Sequence, residues 1–388
     1  MTDAYKNKSE AWLKKEYRKV IKGAWAIQPQ DVYEVRDGQW RKIEKEHVAA
    51  PENCLTFSSA EPFTISMYYN RKSWDGALYY TTDGSTWSEW DGTTIIESAE
   101  HGGEQRVYMQ GRGNSVISIT SSAAGYRRFF VITGSEVSCN GNVETLLDYE
   151  TVASGEHPTM ADYCFHHLFA DCTSLVAFPE LPAVSLARYC YYGMFSGCTG
   201  LVTAPELPAT TLADYCYYYM FENCTSLAIA PKLHATTLTK NCYYNMFRFC
   251  NALTSAPELP ATTLAQNCYG AMFYGCKALT TAPELPATIM ADYCYQHMFR
   301  ECSELVEIPK LPATTLAAYC YQSMFNNCAK VKMSAAKTGD YQTPYRIPTS
   351  GTGTTATDAL KDMFGGTGGT FTGTPTINTT YYTANEVV

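Results

Sequence analysis

Fourteen of the sixteen cysteines in this 388-residue chain stand in two rows. One row is Cys164, Cys190, Cys216, Cys242, Cys268, Cys294 and Cys320, and the other is Cys172, Cys198, Cys224, Cys250, Cys276, Cys302 and Cys328. Both rows step by 26 residues and are offset from each other by eight. Thiols so arranged could pair, hold a metal, or sit buried as small apolar groups. Cα separations of roughly 4.4 to 6.8 Å would allow bridges between stacked copies, but seven copies cannot pair evenly within a row. Zinc sites want C-x2-C clusters on exposed loops, which a C-x7-C spacing does not offer. Ladders of buried free thiols are the reading the spacing favours, with no metal and no cofactor.

With the first cysteine of each unit as position 0, a second reactive row falls at position 16: Glu180, Glu206, Lys232, Glu258, Glu284 and Lys310. Carboxylates about 5 Å apart match the separation in retaining glycosidases, so a carbohydrate-active enzyme is the alternative of a different class. The lysines interrupt the row, however, and a polar ladder suits it better. His166 and His167 have no evident carboxylate partner. No P-loop, dinucleotide fingerprint or nucleophile elbow appears. No catalytic residue is assigned, and the chain is not read as an enzyme. Trp74, Trp87 and Trp90 could stack on sugars but read better as core of a small sheet.

A fixed period of this length marks a solenoid, whose units are too small to bury a core alone and stack on their neighbours. A typical unit is CYYGMFSGCTGLVTAPELPATTLADY. Its first nine residues have helical spacing, with Cys, Met and Cys at 0, 4 and 8 on one face and Tyr and Phe at 1 and 5 beside them. LVTAPEL reads as a short strand whose proline at position 15 requires a short ladder, and the proline at position 18 stiffens the bend after it. The expected fold is therefore an α/β solenoid with one short strand and one short helix per turn.

Positions 0, 4, 5, 8, 11, 15, 17 and 19 hardly change between units and should stack on their own copies. Positions 2, 3, 6 and 7 do change, and on a helix they face away from the invariant side. They carry Tyr192, Tyr218, Tyr219, Tyr244, Arg248, Phe249, Tyr274, His297 and Arg300. Solvated faces usually carry Lys and Glu, whereas these types are enriched at interfaces. These nine residues are the candidate ligand-binding set, against the plainer reading of an outer face that tolerates change.

Residues 1–50 read as an anchoring helix around Ala11 to Lys22 and a hairpin at Asp37-Gly38. Residues 51–136 alternate apolar and polar residues between turn signals such as Asp83-Gly84, and read as a β-sandwich. Residues 137–332 hold the seven-unit solenoid, and residues 333–388 a cap in which Phe364 falls one period plus 13 residues after Phe325. Residues 1–50 carry a local charge of +3, which leaves −12 on the rest. An acidic body argues against nucleic acid. No apolar run reaches the ~18 residues needed to span a bilayer, and the N-terminus lacks a secretory h-region.

The pattern MF-x-x-C-x-x-L-x-x-x-P, as in MFSGCTGLVTAP and MFENCTSLAIAP, resembles the BspA-like class of bacterial leucine-rich repeats over residues 160–332. The resemblance implies a right-handed strand–helix solenoid used for attachment or recognition. Family members are usually exported, and this chain shows no export signal. The stretch VYEVRDGQWRKI is weakly similar to modules that dock appendages on bacteriophage virions. A YTTDGSTW-type sandwich followed by such repeats resembles phage tail or head appendage proteins. The expectation is a receptor-binding virion protein that meets a host cell-surface protein or glycan and docks on other virion proteins through residues 1–50. A bacterial cell-surface adhesin is the alternative, a purely structural virion protein a third reading, and homo-oligomers are compatible with either of the first two.

Overall fold

The computed structural model describes residues 33–36, 39–42, 53–68, 73–117 and 129–388. The expected N-terminal helix and the Asp37-Gly38 turn lie outside them. Strands β1 (Tyr33–Arg36) and β2 (Gln39–Lys42) pair antiparallel with Arg36 opposite Gln39. No helix among the described residues is long and apolar enough to cross a membrane.

The next part of the chain is β-rich. Its strands are β3 (Leu55–Ser59), β4 (Thr64–Met67), β5 (Ala77–Thr81), β6 (Ser88–Glu89), β7 (Ile96–Glu97), β8 (Ala99–His101), β9 (Glu104–Arg112), β10 (Phe130–Thr133) and β11 (Val137–Asn140). One sheet has the order β10-β4-β7 and the other contains β11-β3-β9-β5-β6. Alternation puts Leu55, Phe57, Ile65, Val107, Met109, Phe130 and Ile132 into a shared core. Trp74 and Trp90 are buried there and stacked at 5.5 Å. Asp83 organises the β5–β6 turn by accepting from Thr81 Oγ1, Ser85 N and Thr86 N at 2.6 to 2.8 Å.

The expected α/β leucine-rich-repeat solenoid, with a helix in each turn, is not what forms. The only α-helix among the described residues is α1 (Tyr149–Ala153), beside one 3-10 turn at Val143–Leu146. The segment expected to be helical is instead a ribbon of turns in which backbone bonds alternate in direction. In the coil at 215–224, the amides of Tyr215, Tyr217, Tyr219, Phe221 and Asn223 donate to carbonyls of the next coil at 2.8 to 3.1 Å. The amides of Cys216, Tyr218, Met220, Glu222 and Cys224 donate three residues back within their own coil at 3.0 to 3.3 Å.

The physical cause lies at positions −1, 3 and 7. In eight successive coils these residues all have positive φ, from Tyr163, His167 and Asp171 through to Asp358, Asp362 and Gly366. A left-handed residue at every fourth place is incompatible with an α-helix and gives a true period of four. Each non-glycine residue held there costs roughly 1–2 kcal/mol. The amides donated to the next coil, and the side chains buried with them, offset that cost.

The coils stack as parallel layers. Position 5 forms a file of phenylalanines from Phe169 to Phe325, with centroids 5.5 to 5.8 Å apart and planes within 6°. Position 1 forms a parallel tyrosine file from Tyr191 to Tyr321. The return path is joined by single bridges at position 13, such as Ser255↔Thr281, and position 21, such as Thr237↔Thr263. Prolines 15 and 18 thus fall between bridges, where their missing N–H is harmless. Only β12 (Leu175–Ala177), in the first coil, and the two residues of β13 (Glu307–Ile308) lengthen into strands.

Both ends of the stack are covered. β12 pairs parallel with β11, and the amides of Ile117 and Phe130 donate to Cys164 and Leu168 at 2.8 and 3.0 Å. The β-rich part and the coils therefore share one continuous core. At the other end Phe364 stacks on Phe325 at 5.6 Å. There β14 (Met333–Ser334), β15 (Thr343–Arg346) and β16 (Thr380–Thr383) form a sheet, while β17 (Glu386–Val387) pairs with β13. Asn385 fastens this end, donating to the carbonyls of Val306 and Lys330 at 3.0 Å and accepting from Lys332 N at 2.6 Å.

Candidate functional site on the outer face of the coils

The nine candidate residues are all half-buried rather than exposed. The ribbon, unlike a helix, lays its outer side chains along the stack, so each rests on the next coil. The structure divides them into two groups.

Tyr192, Tyr218 and Tyr244 form one file headed by His166, with centroids 4.7 to 4.9 Å apart and planes within 17°. Tyr219 meets Tyr218 edge-on at 4.3 Å. Beside them runs a file that the sequence reading missed, Tyr163, Tyr189 and Tyr215 at position −1, stacked at 4.5 Å. The signal was present in the Tyr that precedes five of the seven first cysteines, but that residue looked like part of the return path. The two files touch, with Tyr215 5.6 Å from Tyr218. Burial raises the Tyr218 and Tyr244 phenols above their ordinary range.

Arg248, Phe249, Tyr274, His297 and Arg300 belong to a different arrangement. Arg248 Nη1 donates to Glu222 Oε1 at 2.6 Å, and the guanidinium lies 4.4 Å from the Phe249 ring and 5.1 Å from that of Tyr274. The Tyr274 hydroxyl donates to Glu301 Oε1 at 3.0 Å. Burial pushes the Glu222 carboxyl upward, while the Arg248 charge pulls it back. Arg248 with Glu222 and Tyr274 with Glu301 are thus paired across coils, whereas Arg300 lies 3.7 Å from Glu301 in its own coil, and His297 Nδ1 and Arg300 Nε are buried without a hydrogen-bond partner.

Much of the outer variation is fit between neighbours. A Cβ on Gly275 would lie 2.3 Å from Phe249, one on Gly193 2.2 Å from the His167 ring, and one on Gly270 2.7 Å from Tyr244. A large residue on one coil thus needs a small one on the next. His167 Nδ1 lies 3.2 Å from the Gly193 carbonyl. Burial lowers His166 to about 3 and His167 to about 4, so both are neutral in the fold.

All sixteen cysteines are free and buried. The position-8 thiols do more than fill space. Cys198, Cys224, Cys250, Cys276, Cys302 and Cys328 each donate S–H to the position-5 carbonyl of the preceding coil at 2.9 to 3.1 Å. Burial pushes Cys224 and Cys328 up to about 12. No cluster of three metal-ligating side chains occurs among the described residues. The position-16 residues are exposed along one edge. A separate cleft of about 250 Å³ near the start of the coils is lined by Glu144, His157, Met160 and residues 183–187. Glu144 Oε2 and His157 Nδ1 are 2.7 Å apart in it.

Comparison with family models, curated proteins and solved structures finds no match to this chain.

Proposed function

We propose that this is a non-enzymatic recognition protein that meets a cell-surface protein or glycan along the tyrosine face of its first four coils. The carrying observation is the double file of Tyr163, Tyr189 and Tyr215 beside His166, Tyr192, Tyr218 and Tyr244. Aromatic residues held rigid and half-exposed lose little entropy on contact, which is what a recognition surface needs. Arg248, Phe249, Tyr274, His297 and Arg300 lie half-buried further along the same outer face, where Arg248 and Tyr274 are already engaged with Glu222 and Glu301. Placement on a bacteriophage tail or head appendage, with residues 1–50 docking on other virion proteins, belongs to the same proposal. It rests on the likeness of VYEVRDGQWRKI to docking modules.

The test replaces Tyr189, Tyr192, Tyr215 and Tyr218 together by serine and measures retention on intact bacterial cells. The proposal expects retention to be lost while cooperative unfolding persists. Unchanged retention by the folded variant removes this face from the account.

A further inference from the structure

Deepening that reading, and resting on it, we infer that the ligand is a neutral, linear, β-linked polysaccharide lying parallel to the stack, one sugar per coil, held edge-on by tyrosine hydroxyls. Sugars usually engage an aromatic ring through its face. Here each inner ring face is covered by the next ring, at 4.5 to 4.9 Å with planes 4 to 17° apart. What remains is ring edge, which is electropositive, and phenol oxygen, which both donates and accepts and so can take a ligand bond beside those within the face, Tyr189 with Tyr163 and Tyr218 with Tyr219. Both suit a ligand rich in hydroxyl and ether oxygens.

The spacing selects the ligand's repeat. Equivalent groups recur every 4.5 to 4.9 Å along the files, close to the advance of one pyranose in an extended β-linked chain. A peptide strand repeats the same side every ~6.6 Å and would slip by roughly 2 Å at each coil. The charge selects neutrality. Position −2 alternates Asp162, Arg188, Asp214 and Lys240 along the same four coils, and Asp162 and Asp214 each accept the backbone amide of the next residue in that row at 3.1 Å. The row carries no net field for a polyanion to follow. The files end one coil apart. Asn241 follows Tyr215 at position −1, and Gly270 lies under Tyr244 with no room for a side chain; position −1 carries stacked tyrosines again only at Tyr293 and Tyr319, 4.6 Å apart.

Each edge contact is one modest hydrogen bond, so affinity must accumulate along the row. The experiment is calorimetric titration with β-1,4-linked glucose, mannose and N-acetylglucosamine oligomers, from the monosaccharide to roughly six sugars. For one series, affinity should rise about three- to tenfold per added sugar up to roughly four sugars and then level off. The double variant Tyr192→Phe and Tyr218→Phe keeps the rings and the melting temperature but should weaken the tetramer about tenfold or more. Length-independent binding, or an unaffected double variant, overturns the inference. If no oligomer binds while tyrosine-dependent retention on cells persists, the glycan is wrong and the recognition face stands. If retention also fails, both fall. A concentration-dependent dimer that the double variant abolishes would show the files pairing copy to copy, and overturns the inference too.

Discussion

Positions 5 and 7 belong to the same nine-residue ribbon, yet they stack in opposite ways. At position 5 phenylalanine lies on phenylalanine in every coil, and the file is buried throughout. At position 7 Asp171 lies on Gly197 and Phe249 on Gly275. The interior has one solution because its volume is the same in every layer, and a larger or smaller residue leaves strain or a void. The outer rows are open on one side, so only the neighbour constrains them. Outer variability, which looked like the mark of a ligand surface, is in large part this pairing of large with small. The double tyrosine file is the longest exception, where like again lies on like but at the surface; Gln296 on Gln322 and Tyr293 on Tyr319 are shorter ones.

The comparison breaks first at its largest predicted difference. Phe247→Ala should cost about 3–5 kcal/mol, whereas Tyr218→Ala, half-buried, should cost about 1 kcal/mol. Denaturant unfolding measures both, and equal costs would erase the distinction between inner and outer files. Next, Gly275→Ala sets a Cβ 2.3 Å from Phe249 at a φ of +73°, for an expected loss of about 2 kcal/mol. Adding Phe249→Ala should return at least about 1 kcal/mol through coupling. Strictly additive losses would rule out fit between coils as the source of outer variation.

A smaller effect is expected from pH. His166 and His167 are depressed by burial, so the unfolded chain takes up their protons first. Their stabilisation is present above the ordinary histidine value of 6.5 and is lost as pH falls from there toward about 3 to 4. Thermal melts should show a loss of roughly 1–2 kcal/mol per histidine by about pH 5. His166→Tyr, which extends the existing file, should remove part of that fall. An identical pH profile for this variant would place His166 in water. The smallest effect is none at all: dithiothreitol should leave the melting temperature unchanged, and native thiols should resist alkylation until unfolding. A reductant-induced drop would reveal disulfides.

The repeat made much of the interior legible. The two cysteine rows, the Met-Phe pair and Leu at position 11 all pointed inward from their identity alone, and each is buried. The backbone was misread because apolar residues at 0, 1, 4, 5 and 8 fit a period of 3.6 almost as well as one of four over so short a run. The deciding residues were Asp171, Gly193, Gly197, Asn223, Asn245 and Gly275. Their types tolerate positive φ, and all sit at positions 3 and 7. Pairing of β11 with β12 was not legible, because nothing local in either segment specifies a partner so far along the chain. The tyrosines at −1 were visible but assigned to the wrong part of the unit.

Phe221 decides the architecture most directly. In the alternating ribbon its amide donates to the carbonyl of Met246, one coil on, at 2.9 Å. In a helix the same amide would donate to Tyr217. A scalar coupling measured across the hydrogen bond in the deuterated protein should connect Phe221 N to the Met246 carbonyl. A correlation to the Tyr217 carbonyl in its place would contradict the ribbon, and with it the tyrosine files that the ribbon positions.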